Sequence, residues 1–165
     1  MDRIWAPWRM SYIRAGLKQK GCLFCRLKRQ KGRDRKNFVV WRGDLCLVAL
    51  NLFPYNNGHL LVSPYRHISD ICRLRDEETR ELMQAVSRMK ALLDKIVRPQ
   101  GYNIGMNLGK VAGAGVAGHL HIHIVPRWQG DTNFMPVTGN TKVIAQSLGE
   151  MYGWLKSVKF GVRTP

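Results

Sequence analysis

Five histidines and a CxxC pair are the residues of this chain whose types and spacing suit chemistry. Three of the histidines share one run, Gly118-His119-Leu120-His121-Ile122-His123-Ile124-Val125-Pro126-Arg127. Their i, i+2, i+4 spacing matches the two-residue period of a strand. All three imidazoles would then face one side within about 14 Å of chain, with the aliphatic residues on the other side. Such a face has three uses. It could be a polar surface open to water, although Tyr, Thr or Lys would serve that purpose as well. It could bind a metal, since imidazole is a common zinc ligand. It could attack phosphorus through a neutral imidazole. A catalytic ion held by His119, His121 and His123 together ranks lowest, because alternate side chains of one strand stand parallel about 7 Å apart. Cys22-Leu23-Phe24-Cys25 has the spacing of half a zinc site, a spacing that redox and structural thiols share.

These residues need elements to hold them. Phe38 to Trp41 and Leu45 to Leu50 read as strands around an Arg42-Gly43-Asp44 turn. Asn51 to Gly58, with Pro54, Asn56 and Asn57, is a loop, and His59 to Ser63 resumes as a strand stopped by Pro64. His59 on its own is a polar residue opening an apolar strand, and Asn51 on its own is a turn residue. Asp76 is the expected N-cap of a helix whose first turn carries Glu77 and Glu78. Leu82, Val86, Met89, Leu93 and Ile96 give that helix one apolar stripe, and Arg98-Pro99 ends it. Tyr102 to Leu108 and His119 to Val125 are further strands, joined by a glycine-rich loop over 109–118. Glycine there lets backbone N–H groups approach phosphate oxygens. Ile144, Leu148, Met151, Leu155 and Val158 predict a C-terminal helix, weakened by Gly149 and Gly153. Short-turned strand pairs with one long helix define an α+β class with a mainly antiparallel sheet. Cys46 and Cys72, in apolar company, read as core residues.

The chain has 165 residues, 45% hydrophobic and 23% charged, which suits a single globular domain over 1–165 with its own core. We divide it into an N-terminal arm with the CxxC (1–36), a core (37–128) and a C-terminal extension (129–165). Its 27 Lys and Arg against 11 acids give +16, which favours anionic partners: phosphates, nucleotides, nucleic acid or acidic lipid. Seven of the basic residues fall between Arg26 and Lys36, a run expected to be a solvated face or loop. No segment reaches the roughly 18 apolar residues of a membrane span, and the first residues do not resemble a signal peptide. The expected compartment is therefore the cytoplasm, where cysteines are thiols or metal ligands.

The His-x-His-x-His strand followed by two apolar residues resembles the histidine-triad nucleotide hydrolases and transferases. The resemblance extends over Asn51 to Val62, the acid-started helix and Asn103 to Asn107. With Trp5-Ala6-Pro7-Trp8-Arg9-Met10, it points to the branch that includes microbial diadenosine tetraphosphate phosphorylases. It implies a histidine-triad fold and a nucleotidyl-phosphate hydrolase or phosphorylase acting at an α-phosphorus of adenine nucleotides. His121 is the implied nucleophile, forming a covalent nucleotidyl-histidine. His123 would contact phosphate oxygens, and His59 would support the triad from the neighbouring strand. Asn51 would bond a ribose hydroxyl, with Phe53, Asn107, Gly115 and Val116 also around the nucleotide. Many relatives carry Gln, Ser or Thr just before the triad, where this chain has Gly115 and Val116; the side chain that would protonate the leaving group is therefore not assigned.

Zinc-binding branches of the family, and the related galactose-1-phosphate uridylyltransferases, add two histidines to the CxxC. The matching residues are His67 and His119. The resemblance thus implies a structural Zn2+ on Cys22, Cys25, His67 and His119, with no open coordination position. It also implies a homodimer, for which Met83 and Met89 of the long helix are candidate contacts. The competing reading is a zinc-stabilised nucleic-acid-binding protein, or a histidine-triad protein processing adenylated nucleic-acid ends. The net charge favours it, and the absence of a nucleic-acid recognition motif disfavours it.

Overall fold

A computed structural model describes residues 21–134, 138, 144 and 146–158. The tryptophan-containing run from Trp5 to Met10 lies outside the described residues. The architecture is an α+β fold on a five-stranded antiparallel sheet. Its elements are α1 (Leu23–Arg29), β1 (Val39–Arg42), β2 (Cys46–Leu50), β3 (Leu60–Pro64), α2 (Asp76–Val97), β4 (Gly101–Met106), β5 (Ile122–Arg127) and α3 (Leu148–Ser157). The sheet order is β1-β2-β3-β5-β4, and every neighbouring pair is antiparallel.

Strand alternation sorts the residues into two layers. Val40, Cys46, Val48, Leu50, Leu60, Val62, Ile122 and Ile124 pack on the α2 side with Leu82, Ala85, Val86, Met89, Leu92 and Leu93. Each fully buried aliphatic side chain of this layer contributes about 1.5–3 kcal/mol relative to exposure. Val39, Leu47, Ala49 and Leu61 belong to a second cluster under α1, with Phe24 and Leu27. His123 pairs with Leu61 in the β3–β5 ladder. The period-two rule therefore carries His123 to the face opposite α2, while Ile122 and Ile124 take the core.

Four expectations are corrected. The last strand begins at Ile122, so His119 and His121 sit in the extended segment leading into it. The N-cap of α2 is Arg75, not Asp76. The Glu78 carboxylate accepts the Arg75 N–H at 3.0 Å, so the cap position itself needs no side-chain acceptor. Cys72 is exposed in a short 3-10 turn (Ile71–Arg73), whereas Cys46 is fully buried and burial raises its thiol. Met89 is core; only Met83 of the two methionines is exposed. In addition, part of the basic run is helical. Phe24 and Leu27 bury one side of α1, and Arg26, Lys28 and Arg29 sit at its C-terminal end, where the helix dipole favours cations.

Two carboxylates of α2 tie the layers together. Glu81 accepts N–H groups of Leu45 at 2.9 Å and Cys46 at 3.1 Å, which fixes the β1–β2 turn. Glu78 accepts from the Arg66 guanidinium at 2.9 and 2.6 Å. This pair brings the segment after β3, and with it His67, against the start of α2. The Arg66 bonds hold the Glu78 carboxyl down to about 2 from an ordinary 4.5. The Glu78 stabilisation is therefore complete above about pH 4.5 and is lost as pH falls toward 2. Glu78→Gln should lower unfolding free energy by about 1–3 kcal/mol at pH 7. In urea titrations the difference from wild type should shrink across that acid window; a difference unchanged from pH 7 to pH 2.5 would refute the assignment.

Candidate active site

The site is built by β3, β5 and the segments that enter them. His59 opens β3 and is fully buried. Gly58 before it has φ +73, and a Cβ there would press Leu93 Cδ2 at 3.2 Å, so glycine is what lets the chain turn in at this point. The His59 Nδ1 accepts the Tyr55 N–H at 3.0 Å, with the Asn51 amide nitrogen 3.3 Å away. A neutral imidazole has one proton, so that proton lies on Nε2. The Nε2–H of His59 then donates to His123 Nδ1 at 2.9 Å. By the same count the proton of His123 sits on its own Nε2. That atom is buried and has no hydrogen-bond partner among the described residues. It is a donor aimed at something the described residues do not supply.

His121 has the opposite tautomer. Its Nδ1–H donates to the His119 carbonyl at 2.8 Å, which leaves the Nε2 lone pair bare. The His121 and His123 rings lie 4.9 Å apart, and Tyr55 stacks on His123 at 5.7 Å. Burial lowers the His121 imidazole, and burial with the neighbouring His121 lowers His123 to about 4, so both are neutral at pH 7. A bare nitrogen thus stands beside a neutral N–H donor: a nucleophile next to a group that can hold an anionic oxygen.

His119 turns to a different task. Its Nε2–H donates to the Pro64 carbonyl at 2.9 Å, so its Nδ1 is unprotonated. That Nδ1 lies 3.1 Å from Cys22 Sγ, 3.7 Å from Cys25 Sγ and 3.2 Å from His67 Nδ1. His67 Nδ1 is 3.3 Å from Cys25 Sγ. All four ligand atoms lie within 4.8 Å of one another, and the group could hold a metal ion. A tetrahedral ion with bonds of about 2.0–2.3 Å would space its ligands roughly 3.3–3.8 Å apart, close to what is found. The Pro64 carbonyl fixes the His119 ring from behind, as outer partners of metal-ligating histidines do. Phe24, inside the CxxC, joins the two centres: its ring is 5.2 Å from His119 and 5.1 Å from His121.

The remaining expected residues fall around this face unevenly. Asn51 is buried, with its Oδ1 accepting the Phe53 N–H at 3.0 Å and its amide nitrogen beside His59. In this structure it braces His59. The Phe53 side chain is largely exposed at the rim. Asn107 follows β4, half-buried. Gly115 is exposed in the loop before the triad, and Val116 packs against the α1 cluster. Sequence reasoning missed Tyr55 and Phe24 as parts of the site. Tyr55 lies four residues before His59, and Phe24 lies between two cysteines, but neither spacing signals a ring contact.

An α+β sheet that pairs these imidazoles beside a Cys2His2 cluster defines a histidine-triad protein, and the comparisons agree. The family model described as "HIT domain" matches residues 33–130. The chain belongs to the HIT-domain family. It is 40% identical over 154 residues to the "AP-4-A phosphorylase" of Mycobacterium tuberculosis, covering 90% of this chain and 79% of that one. A Schizosaccharomyces pombe "bis(5'-nucleosyl)-tetraphosphatase [asymmetrical]" is 33% identical over 56% of this chain and 50% of its own. A zinc-bound histidine-triad family protein of Mycobacterium smegmatis superposes with TM-score 0.66 at 25% identity, covering 83% of this chain and 91% of that one.

The tautomers are directly observable. In ring-nitrogen NMR spectra at pH 7, His121 should show a protonated Nδ1, and His59 and His123 a protonated Nε2. A protonated Nε2 on His121 would refute this arrangement.

Proposed function

We propose that the protein is a nucleotidyl transferase acting on dinucleoside polyphosphates, with His121 as nucleophile. The observation that carries this reading is the bare Nε2 of His121 beside the unpartnered Nε2–H of His123. In the first step the His121 lone pair attacks the α-phosphorus. A P–N bond forms, and the bridging P–O bond breaks with its electron pair leaving on the departing nucleotide. His123 Nε2–H donates to a non-bridging phosphate oxygen, and the Tyr55 N–H, through His59, keeps its proton in place. In the second step an oxygen of inorganic phosphate or water attacks the same phosphorus. The P–N bond breaks and its electrons return to His121. The attacking group's proton passes to solvent or buffer.

Similarity to the Mycobacterium tuberculosis enzyme supports phosphate as the acceptor and diadenosine tetraphosphate as the substrate. Asn51, Phe53, Asn107, Gly115 and Val116 remain the nucleotide-contacting set of this reading. In the loop before the triad, the carbon-only side chain of Val116 and the absent one of Gly115 offer no proton to the leaving group. That proton comes from outside the loop side chains, or none is needed by a polyphosphate leaving group, which is already a good one. The test is product analysis. Incubation with diadenosine tetraphosphate and phosphate should give ADP and ATP, and omission of phosphate should stop turnover. AMP and ATP formed at the same rate without phosphate would refute the phosphorylase assignment.

For the thiol–imidazole cluster we propose a bound zinc ion, on Cys22, Cys25, His67 and His119. The four ligand atoms lie within 4.8 Å of one another, with the His119 Nδ1 lone pair turned toward both thiols, which supports this reading. Bound there, zinc would act as a structural staple with no open position. The residues themselves join α1 to the segments after β3 and before β5, and Phe24 rests on His121 from that staple. Purified protein should carry close to one zinc per chain. Chelation should lower the melting temperature by several degrees, and Cys25→Ser should lower it similarly. Metal-free protein with unchanged melting would remove the proposal.

A further inference from the structure

We propose that the outer face of the α1–β1 segment is a docking surface for a nucleic-acid strand. Lys28, Arg29, Lys31, Arg33, Arg35 and Lys36 are all exposed, within nine residues. None of them forms an ion pair with a carboxylate among the described residues. Between positions 21 and 43 the sequence holds a single acid, Asp34, and Arg42 takes both of its oxygens at 3.0 and 2.7 Å. The acids are concentrated elsewhere, with Asp76, Glu77, Glu78, Glu81 and Asp94 on α2. This segregation leaves a cationic face whose field nothing nearby cancels.

The anchoring of the segment narrows the partner. The apolar side of α1, Phe24 and Leu27, is buried against the sheet. Only the cationic side is offered, whereas a helix that lies in a lipid surface needs an apolar face to insert. Six exposed cations also exceed the four phosphates of a dinucleoside tetraphosphate, while a strand supplies one phosphate per nucleotide. None of these six side chains hydrogen-bonds a triad histidine among the described residues, so an occupant need not compete for His121. Binding is read without turnover, so its outcome is separate from that of the nucleotidyl-transfer reading.

The test uses the full chain and a fluorescein-labelled single-stranded RNA of 15 nucleotides, followed by anisotropy across a salt series. Six phosphates engaged predict a log–log salt slope of about −4, since each contributes about 0.7 on a single strand. The triple variant Lys31→Gln, Arg33→Gln, Arg35→Gln changes only exposed side chains away from the cysteines. It should bind at least tenfold more weakly, with a slope reduced by about 2. The control Arg73→Gln, Arg80→Gln, Lys95→Gln removes the same charge from other exposed positions and should change affinity less than threefold. Equal weakening by both triples would overturn the proposal, as would a salt slope near zero. So would displacement of the RNA by phosphatidylglycerol vesicles at lower phosphate concentration than by unlabelled RNA.

Discussion

Every neutral imidazole carries one proton, and in this protein the backbone decides where three of those protons sit. The carbonyl of His119 takes the Nδ1–H of His121, the carbonyl of Pro64 takes the Nε2–H of His119, and the N–H of Tyr55 fills the Nδ1 of His59. These three contacts, with the His59–His123 bond, divide four imidazoles among distinct duties. One ring presents a lone pair, one presents a donor, one relays an orientation, and His119 turns a bare nitrogen toward a pair of thiols beside His67. Burial reinforces the division, because desolvation penalises the charged form and keeps His119, His121 and His123 neutral. Without such fixed acceptors the same residues would be interchangeable bases in water.

The sheet makes this economy possible. Alternation along β5 sends Ile122 and Ile124 into the α2 layer and His123 to the opposite face, so catalytic and core residues share a strand without competing for space. On that opposite face α1 covers only part of the surface. Phe24 and Leu27 close the apolar portion over Leu47, Ala49 and Leu61, and the imidazole portion lies next to it. Cys22 and Cys25 of the thiol–imidazole cluster flank Phe24, whose ring meets the His121 ring. Helix α1 has only seven residues, and the burial of Phe24 and Leu27 holds it against the sheet.

Much of this was legible in the sequence. The long apolar stripe of α2, the hairpin around Gly43 and the alternation through the triad are strong periodic signals, and they placed the sheet, its main helix and the imidazole face. The thiol–imidazole set, read from the family resemblance, is brought together by the fold. The boundaries were less legible. The strand did not extend back to His119, because the Leu120 N–H donates to the Ile68 carbonyl and the Leu120 carbonyl accepts the Ser63 hydroxyl. Asp76 gave way to Arg75 as N-cap because Glu78 could reach back three residues. Cys72 looked buried from its apolar neighbour Ile71, yet both sit on an exposed 3-10 turn. Helix α1 had no readable period, since Leu23, Phe24 and Leu27 within seven residues do not define one. Ring contacts such as Phe24 with His121 and Tyr55 with His123 depend on tertiary placement, which no local pattern encodes.

The central claim is that the bare Nε2 of His121 becomes covalently joined to the α-phosphorus. The direct measurement is rapid quench of the protein with α-phosphorus-labelled diadenosine tetraphosphate in the absence of phosphate, followed by peptide mapping. The account predicts acid-labile, alkali-stable label on the peptide that contains His121, and none in His121→Asn. Turnover without protein-bound label at any quench time, or label that persists in His121→Asn, would contradict it.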